Sequence, residues 1–502
     1  MVGQPVRRVV EITNVILQAR TDRRSMNQEI LRHLPSVGQL LEHPDIASLL
    51  GETTRGWVTR LVQSVVDEQR DDLVGGKKSQ AVSRDELTDR LISTVKARHA
   101  KLLAPAMKRV INATGIVVHT NLGRACYPET AVLRMGEAAR YNCDLEMDLE
   151  AGARGHRGRD VETKLALLTG GQDALIVNNN AAALWLAVRS CADKGRVLLS
   201  RGEVVAIGGS FRLHEIVQEA GCELVEVGTT NRTTVADYTD ALTPGAVVLK
   251  VHRSNFTVAG FTEEVQVSEL ATVCRDRGHT LIYDAGSGLL ESPAMFDLPS
   301  QLTVAEDLAT GADIVTCSGD KLFGGGQAGL IIGRSDLVAA MRSHPMRRTF
   351  RVDKTTLAAI DGTLSHYLEG NQLTENPTLR RLNRSVDELG ETARKLGDSL
   401  SGDMPSGWSW NVVESESQVG GGAGADSVLP GRMLLWTGPA RELERCHLLL
   451  RRGDPAVVAR ISQRGLGLDT RAIGDDELEA LRTAVCVAWS QMSGSPKEGK
   501  NA

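Results

Sequence analysis

The feature that most constrains this chain is the run Ser318-Gly319-Asp320-Lys321-Leu322-Phe323-Gly324-Gly325-Gly326-Gln327-Ala328-Gly329, which follows the apolar stretch from Asp313 to Cys317. A short apolar run closed by glycines reads as a buried strand that ends in a tight turn. One lysine therefore stands at the exit of a core strand, with a hydroxyl three residues before it and a glycine-rich turn behind it.

Two further segments answer to it. Thr280 to Tyr283 reads as a second short buried strand and runs into Asp284-Ala285-Gly286-Ser287-Gly288, which puts a carboxylate at a strand terminus upstream of Lys321. Ala174 to Ala183 reads as a strand that turns through Asn178, Asn179 and Asn180 into an alanine-rich helix. The unpaired N–H groups of such a helix start, around Asn179, Asn180 and Ala181, attract a phosphate dianion.

Each feature alone has an ordinary reading: a solvated turn for Lys-x-x-Gly-Gly, a helix N-cap for Asp284, a plain strand-to-helix turn for the asparagines. Their order along the chain is what a pyridoxal phosphate enzyme needs. Such an enzyme uses a lysine to hold the cofactor as a Schiff base, an acid to face the pyridine nitrogen, and a phosphate site, to which Ser318 adds a hydroxyl. Asp284 would keep the pyridine nitrogen protonated, and Lys321, once displaced by substrate, would move the α-proton.

The rest of the chain bounds this reading. With 502 residues there is room for two or three domains around a large core. A formal net charge of -5 argues against a globally basic surface for DNA or other nucleic acid. The eight cysteines, 126, 143, 191, 222, 274, 317, 446 and 486, form no Cys-x-x-Cys pair and read as reduced thiols of a cytoplasmic protein, with no metal site. No signal peptide and no membrane span are expected.

Along the chain, Asn27 to Leu50 and Arg55 to Arg70 carry apolar residues at helical spacing, and Gly75-Gly76-Lys77-Lys78-Ser79-Gln80 looks like a linker. From about Ile111, short apolar runs at 196–200, 222–227, 247–251, 281–283 and 328–332 alternate with helical patterns, the signature of a mostly parallel sheet covered by helices. Long helices are expected over 355–368 and 380–400, and the run Gly420 to Gly424 reads as a flexible surface loop. The expected division is a helical domain over 1–75, a linker over 76–108, a large cofactor domain over 109–350 and a small C-terminal α/β domain over 351–502.

Several segments together resemble the bacterial selenocysteine synthases, the L-seryl-tRNA(Sec) selenium transferases. They are Ile111 to Ala125, Asp144 to Glu150, Val177 to Ala183, Gly228 to Thr233 and Ser318 to Gly329, with Leu34 to Leu41 and Pro455 to Asp469 at the two ends. The resemblance implies an α/β protein of the pyridoxal-phosphate-dependent transferase fold type I, aminotransferase-like. It implies conversion of L-seryl-tRNA(Sec) to L-selenocysteinyl-tRNA(Sec), with selenophosphate as donor and a cofactor-bound aminoacrylyl intermediate. A homodecamer built from dimers and tRNA binding by the N-terminal domain follow from the resemblance alone. So do the residue roles: Lys321 as the Schiff-base lysine, Asp320 as the neighbouring catalytic acid, and Arg124, Arg348 and Arg351 as the selenophosphate arginines. By fold analogy Ser254 or Asn255 lies near the cofactor's phenolic oxygen. Gly326 and Ala285 depart from the family's usual residues without altering a group that does chemistry. The first twenty or so residues precede the matching segment and carry no assigned role.

Two other classes remain open to the sequence. A β-eliminating lyase of the same superfamily acting on a small substrate would keep Lys321 and Asp284 but would not need the three arginines, which as a pair three apart at 348 and 351 also suit a solvated helix face. A noncatalytic tRNA-binding protein would need neither Lys321 nor Asp284. Arg32, Arg55 and Arg60 are scattered cations that suit tRNA contact or an ordinary surface equally.

Overall fold

A computed structural model describes residues 31, 33–74, 83–193, 195–207, 211–298, 301–422, 424 and 427–493. Arg32, the segment before residue 31 and the Gly75 to Gln80 run lie outside the described residues. The chain divides after Lys108 into two compact units.

In the first unit, helices α1 (Arg55–Val74) and α2 (Arg84–Leu103) share one apolar core. Val58, Val62, Val65 and Val66 of α1 meet Leu87, Leu91, Ile92 and Val95 of α2, each set spaced so that one helical face is apolar. Ser83 and Glu86 form a capping box that starts α2. The stretch 76–108 is thus not simply a linker: its apolar residues recur at helical spacing behind the Ser-x-x-Glu start, and burying them completes the core that α1 could not close alone.

In the second unit the larger sheet is built from β2 (Asp173–Val177), β3 (Arg196–Ser200), β4 (Glu223–Val227), β5 (Val247–Val251), β6 (Thr280–Gly286), β7 (Ile314–Ser318) and β8 (Gly329–Gly333). A short strand β1 (Val110–Ala113) precedes them in the chain. The order across the larger sheet is β2-β8-β7-β6-β5-β3-β4, and β8 alone runs antiparallel to its neighbours. β5 and β7 are buried along their whole length, which explains their unbroken apolar runs. Helix α3 (Asn180–Ala192) follows β2 and lays its alanine and leucine face on the sheet. Register brings Val177, Gly329 and Ser318 level across β2, β8 and β7, and Asp284 of β6 stands opposite Thr316. The carboxyl ends of β2, β6 and β7 therefore share one edge, where open α/β sheets bind their ligands.

The second sheet has the order β1-β11-β12-β10-β9, formed by β9 (Ser409–Gln418), β10 (Val428–Thr437), β11 (Ala456–Ser462) and β12 (Gly465–Asp469) with β1 at its edge. Two differences from the expected division follow. Residues 110–113 belong with the C-terminal sheet, because β1 pairs in parallel with β11. Helix α4 (Lys354–Glu369) belongs with the larger sheet, because Leu357, Ile360, Leu364 and Tyr367 share its core with Leu165, Leu322 and Phe323. The single helix expected over 380–400 is broken in two, Pro377–Asn383 and Val386–Leu400, since Ser385 and Glu388 make a new capping box.

Candidate active site

Lys321 lies just beyond β7 and is buried, as are Ser318, Asp320 and Asp284. Burial pushes the Lys321 ammonium below the ordinary lysine range, while the charges of Asp284 and Asp320 pull the other way. The amine is thereby easier to free of its proton than an exposed one. Burial likewise pushes the Asp284 carboxyl upward, against hydrogen bonds and the Lys321 charge that favour the ionised form.

The partners of Asp284 are specific. Asn180 Nδ2 donates to Oδ1 over 2.8 Å, the Gly286 N–H over 3.2 Å and Thr316 Oγ1 over 3.3 Å. All three land on one oxygen, so these bonds leave Oδ2 for a cation. The residues fit a protonated pyridine nitrogen at this position, because all three hydrogen bonds to this buried carboxyl come from neutral donors and none pairs it with a charge.

The asparagine turn divides its work. Asn179 caps α3, its side chain accepting from the Ala182 N–H over 2.9 Å. Asn180 uses its side chain on Asp284, which sequence reasoning did not foresee. The N–H groups of Asn180 and Ala181 remain first-turn donors that a helix cannot pair internally, as a phosphate requires. Gly329 makes this turn possible: a Cβ there would stand 2.1 Å from the Asn179 carbonyl oxygen, so only glycine lets β8 run against the helix start. Among the described residues, the buried Oδ1 of Asn180 finds no hydrogen-bond partner, which leaves a polar atom beside Asp284 for a ligand to satisfy.

Arg124 reaches the lysine turn. Its Nη1 donates to Asp320 Oδ2 over 2.6 Å, and its backbone is left-handed, φ +64°, an unusual conformation for arginine. Arg351 sits in an extended segment between two tethers: the Phe350 carbonyl accepts from the Asn178 N–H over 2.9 Å, and the Val352 carbonyl accepts from Arg157 Nη2 over 2.7 Å. Arg348 is exposed at the end of the single 3₁₀ turn Pro345–Arg348. The two arginines therefore do not share a helix face. The Arg351 guanidinium meets Glu146 Oε1 at 3.2 Å, and Arg157 meets the same oxygen at 3.2 Å. Arg157 and Arg351 together hold the Glu146 carboxyl below the usual carboxylate range. Arg157 and Glu146 were missed as site residues, although Glu146 lies in the quoted 144–150 segment.

Two expectations change. Asn255 is exposed and spends its amide on the Ala206 carbonyl, over 2.8 Å, whereas the adjacent Ser254 is buried. A Cβ built on Gly422 would lie 3.8 Å from Ser254 Oγ and 2.8 Å from Lys321 Nζ, so the buried serine and the lysine both face Gly422. The glycine run that read as a free surface loop touches the site too, since Lys321 Nζ donates to the Gly422 carbonyl over 2.8 Å. Among the described residues no cluster of side chains could hold a metal ion.

The fold resembles that of D-glucosaminate-6-phosphate ammonia-lyase, with a TM-score of 0.55 and 18% identity over 79% of this chain and 99% of that one. The L-seryl-tRNA(Sec) selenium transferase of Carboxydothermus hydrogenoformans is 37% identical over 90% of this chain and 96% of its own. Those of Geobacter sulfurreducens and Rhizobium meliloti are each 40% identical, over 91% and 90% of this chain and 98% and 97% of theirs. A selenocysteine synthase N-terminal pattern matches residues 31–70, and the L-seryl-tRNA selenium transferase pattern matches residues 110–474. By these matches the chain belongs to the L-seryl-tRNA selenium transferase family.

Proposed function

We propose that this protein replaces the hydroxyl of serine, esterified to the selenocysteine tRNA, with selenium drawn from selenophosphate. The observation that carries the reading is the buried Lys321 beside Asp284, at a strand edge where Arg124 also arrives through Asp320. Pyridoxal phosphate, when bound, supplies an electron sink for the serine α-carbon. Asp284 would face the ring nitrogen as its countercharge. The Asn180 and Ala181 N–H groups, with Ser318, would hold the phosphate. Lys321 would carry the cofactor and, when free, move the α-proton.

Asp320 accepts from the Arg124 guanidinium and stands next to Lys321, in place to serve the departing hydroxyl as its acid. An anionic donor competes for the same Arg124 guanidinium that Asp320 holds. Arg351 and Arg348 provide further guanidinium groups for the donor's phosphate, with Arg157 setting the backbone beside Arg351. The helical unit before Lys108 binds the tRNA, and the protein works in the cytoplasm as a homodecamer built from dimers. No described helix is long and apolar enough to cross a membrane.

The test uses purified protein, seryl-tRNA(Sec) and selenophosphate. Selenocysteinyl-tRNA should form, and borohydride should fix the cofactor on Lys321. Failure to form it with cofactor on Lys321 would reject the substrate, whereas cofactor on another lysine would reject the site.

A further inference from the structure

The free amine of Lys321 is not left without a partner in its pocket. Its acceptor, the Gly422 carbonyl, is fixed from the neighbouring segment 115–118. The Gln418 N–H donates to the Gly115 carbonyl over 2.9 Å, and the Val117 and Val118 N–H groups donate to the Gln418 and Val419 carbonyls over 2.9 and 2.7 Å. The chain then turns over the lysine through Gly420 and Gly422, with φ of +131° and +81°. A Cβ on Gly420 would stand 2.3 Å from the Val118 carbonyl oxygen, and one on Gly422 would stand 2.8 Å from Lys321 Nζ. Glycine at both positions is what permits the approach.

We propose that the Gly422 carbonyl is the resting position of the Lys321 amine whenever that lysine is not bonded to the cofactor, which makes Gly422 a positioning residue. The proposal rests on Lys321 being the cofactor-bearing lysine. When an incoming amine takes over the cofactor's carbon, its nitrogen forms the bond that the lysine nitrogen gives up. Lys321 leaves as a primary amine, and nothing is oxidised or reduced. A polar group released into a buried pocket is destabilised unless it finds a partner. Gly422 supplies that partner, favours the displaced state, and keeps the amine in the pocket for the proton it has next to move.

The experiment uses full-length holoenzyme incubated with graded L-serine methyl ester, a small primary amine carrying a seryl ester. Borohydride then traps the mixture, and peptide mass spectrometry reads the fraction of Lys321 that carries reduced cofactor. In the wild-type protein that fraction falls with a defined midpoint. Gly422→Ala should raise the midpoint by about twofold to tenfold, the range that a hydrogen bond between neutral groups contributes. Gly420→Ala, whose methyl meets the Val118 carbonyl and lifts the loop without touching the lysine, should raise it as well. Gly421→Ala, at an exposed position of the same loop, should leave it where it was. An unchanged midpoint in Gly422→Ala, or in Gly420→Ala should the first variant not fold, overturns the proposal. An equal rise in Gly421→Ala overturns it too, by assigning the effect to the loop as a whole. Wild-type protein without cofactor on Lys321 would refute the lysine assignment instead.

Discussion

Arg124 and Asp320 are joined by a 2.6 Å hydrogen bond that ties a left-handed arginine to the residue preceding the buried Lys321. Removing the charge on one partner leaves the other without its match in a partly buried setting. Asp320→Asn should keep the cofactor on Lys321 and slow selenium transfer by about tenfold to a hundredfold, the range for losing a hydrogen bond between charged groups. Single-turnover formation of selenocysteinyl-tRNA, measured beside visible absorbance, checks it. Full transfer by the asparagine variant would reduce Asp320 to a structural neighbour.

Asn180 offers a test of the cofactor site that leaves the lysine alone. Asn180→Ala removes the shortest of the three bonds to Asp284 Oδ1. The lost bond to a buried carboxylate corresponds to about 1.5–3 kcal/mol. Cofactor retained after dialysis should fall at limiting pyridoxal phosphate and recover when the cofactor is in excess. Equal retention by both proteins would show that Asp284 does not depend on Asn180.

The arginines should separate selenium addition from cofactor binding. Arg351→Ala should leave cofactor absorbance intact and raise the selenophosphate concentration needed for half-maximal transfer by about tenfold or more. Arg348→Ala, at an exposed position, should act in the same direction. Unchanged transfer by both variants at low donor concentration would return them to surface charges.

Asp307 predicts a pH dependence of stability. Burial and the nearby Glu306 charge push its carboxyl up to about 8, and its Oδ1 has no hydrogen-bond partner among the described residues. The folded state holds this proton more tightly than the unfolded state does. Its contribution is therefore fully present below the ordinary aspartate range near pH 4 and is lost as pH rises towards about 8. Asp307→Asn should flatten the melting temperature across that window, removing a slope of up to about 1.4 kcal/mol per pH unit. A slope identical to wild type would assign the proton elsewhere.

The first compact unit can be tested by its removal. Protein beginning at Arg109 should keep cofactor on Lys321 and lose affinity for the selenocysteine tRNA, measured by filter binding. Undiminished tRNA affinity would take the helical unit out of recognition.

What could be read from the chain was local in character. Lys321, Asp284 and the asparagine turn each announce themselves where an apolar run stops, because a strand's end and a helix's start are written in neighbouring residues. The bond from Asn180 to Asp284 was not legible, since it depends on register between β2 and β6, which do not adjoin in the sheet. The glycines at 420 and 422 looked like a loop free of contacts because composition carries no record of the Val118 carbonyl or Lys321 amine beside them. Asn255 looked as plausible as Ser254 for the same reason: adjacent residues on an irregular segment face different ways, and only burial separates them. The helix over 84–103 was, by contrast, present in the spacing of Leu87, Leu91 and Val95, and was hidden by the glycine and lysine run before it.

The parallel pairing of Val110 with Ala456 bears on how the protein is made. A ribosome delivers β1 early and its partner β11 near the end, so the strand waits while almost the whole larger sheet is synthesised. The seven strands between residues 173 and 333 can assemble in that interval, since domains fold as their residues emerge. The second sheet cannot close until the last hundred residues arrive, and the chain that reaches Lys321 through Gly422 arrives with them. Completion of the surroundings of Lys321 is therefore a late event in the life of a nascent chain, and a polypeptide truncated before residue 422 would carry the lysine without the carbonyl that accepts from it.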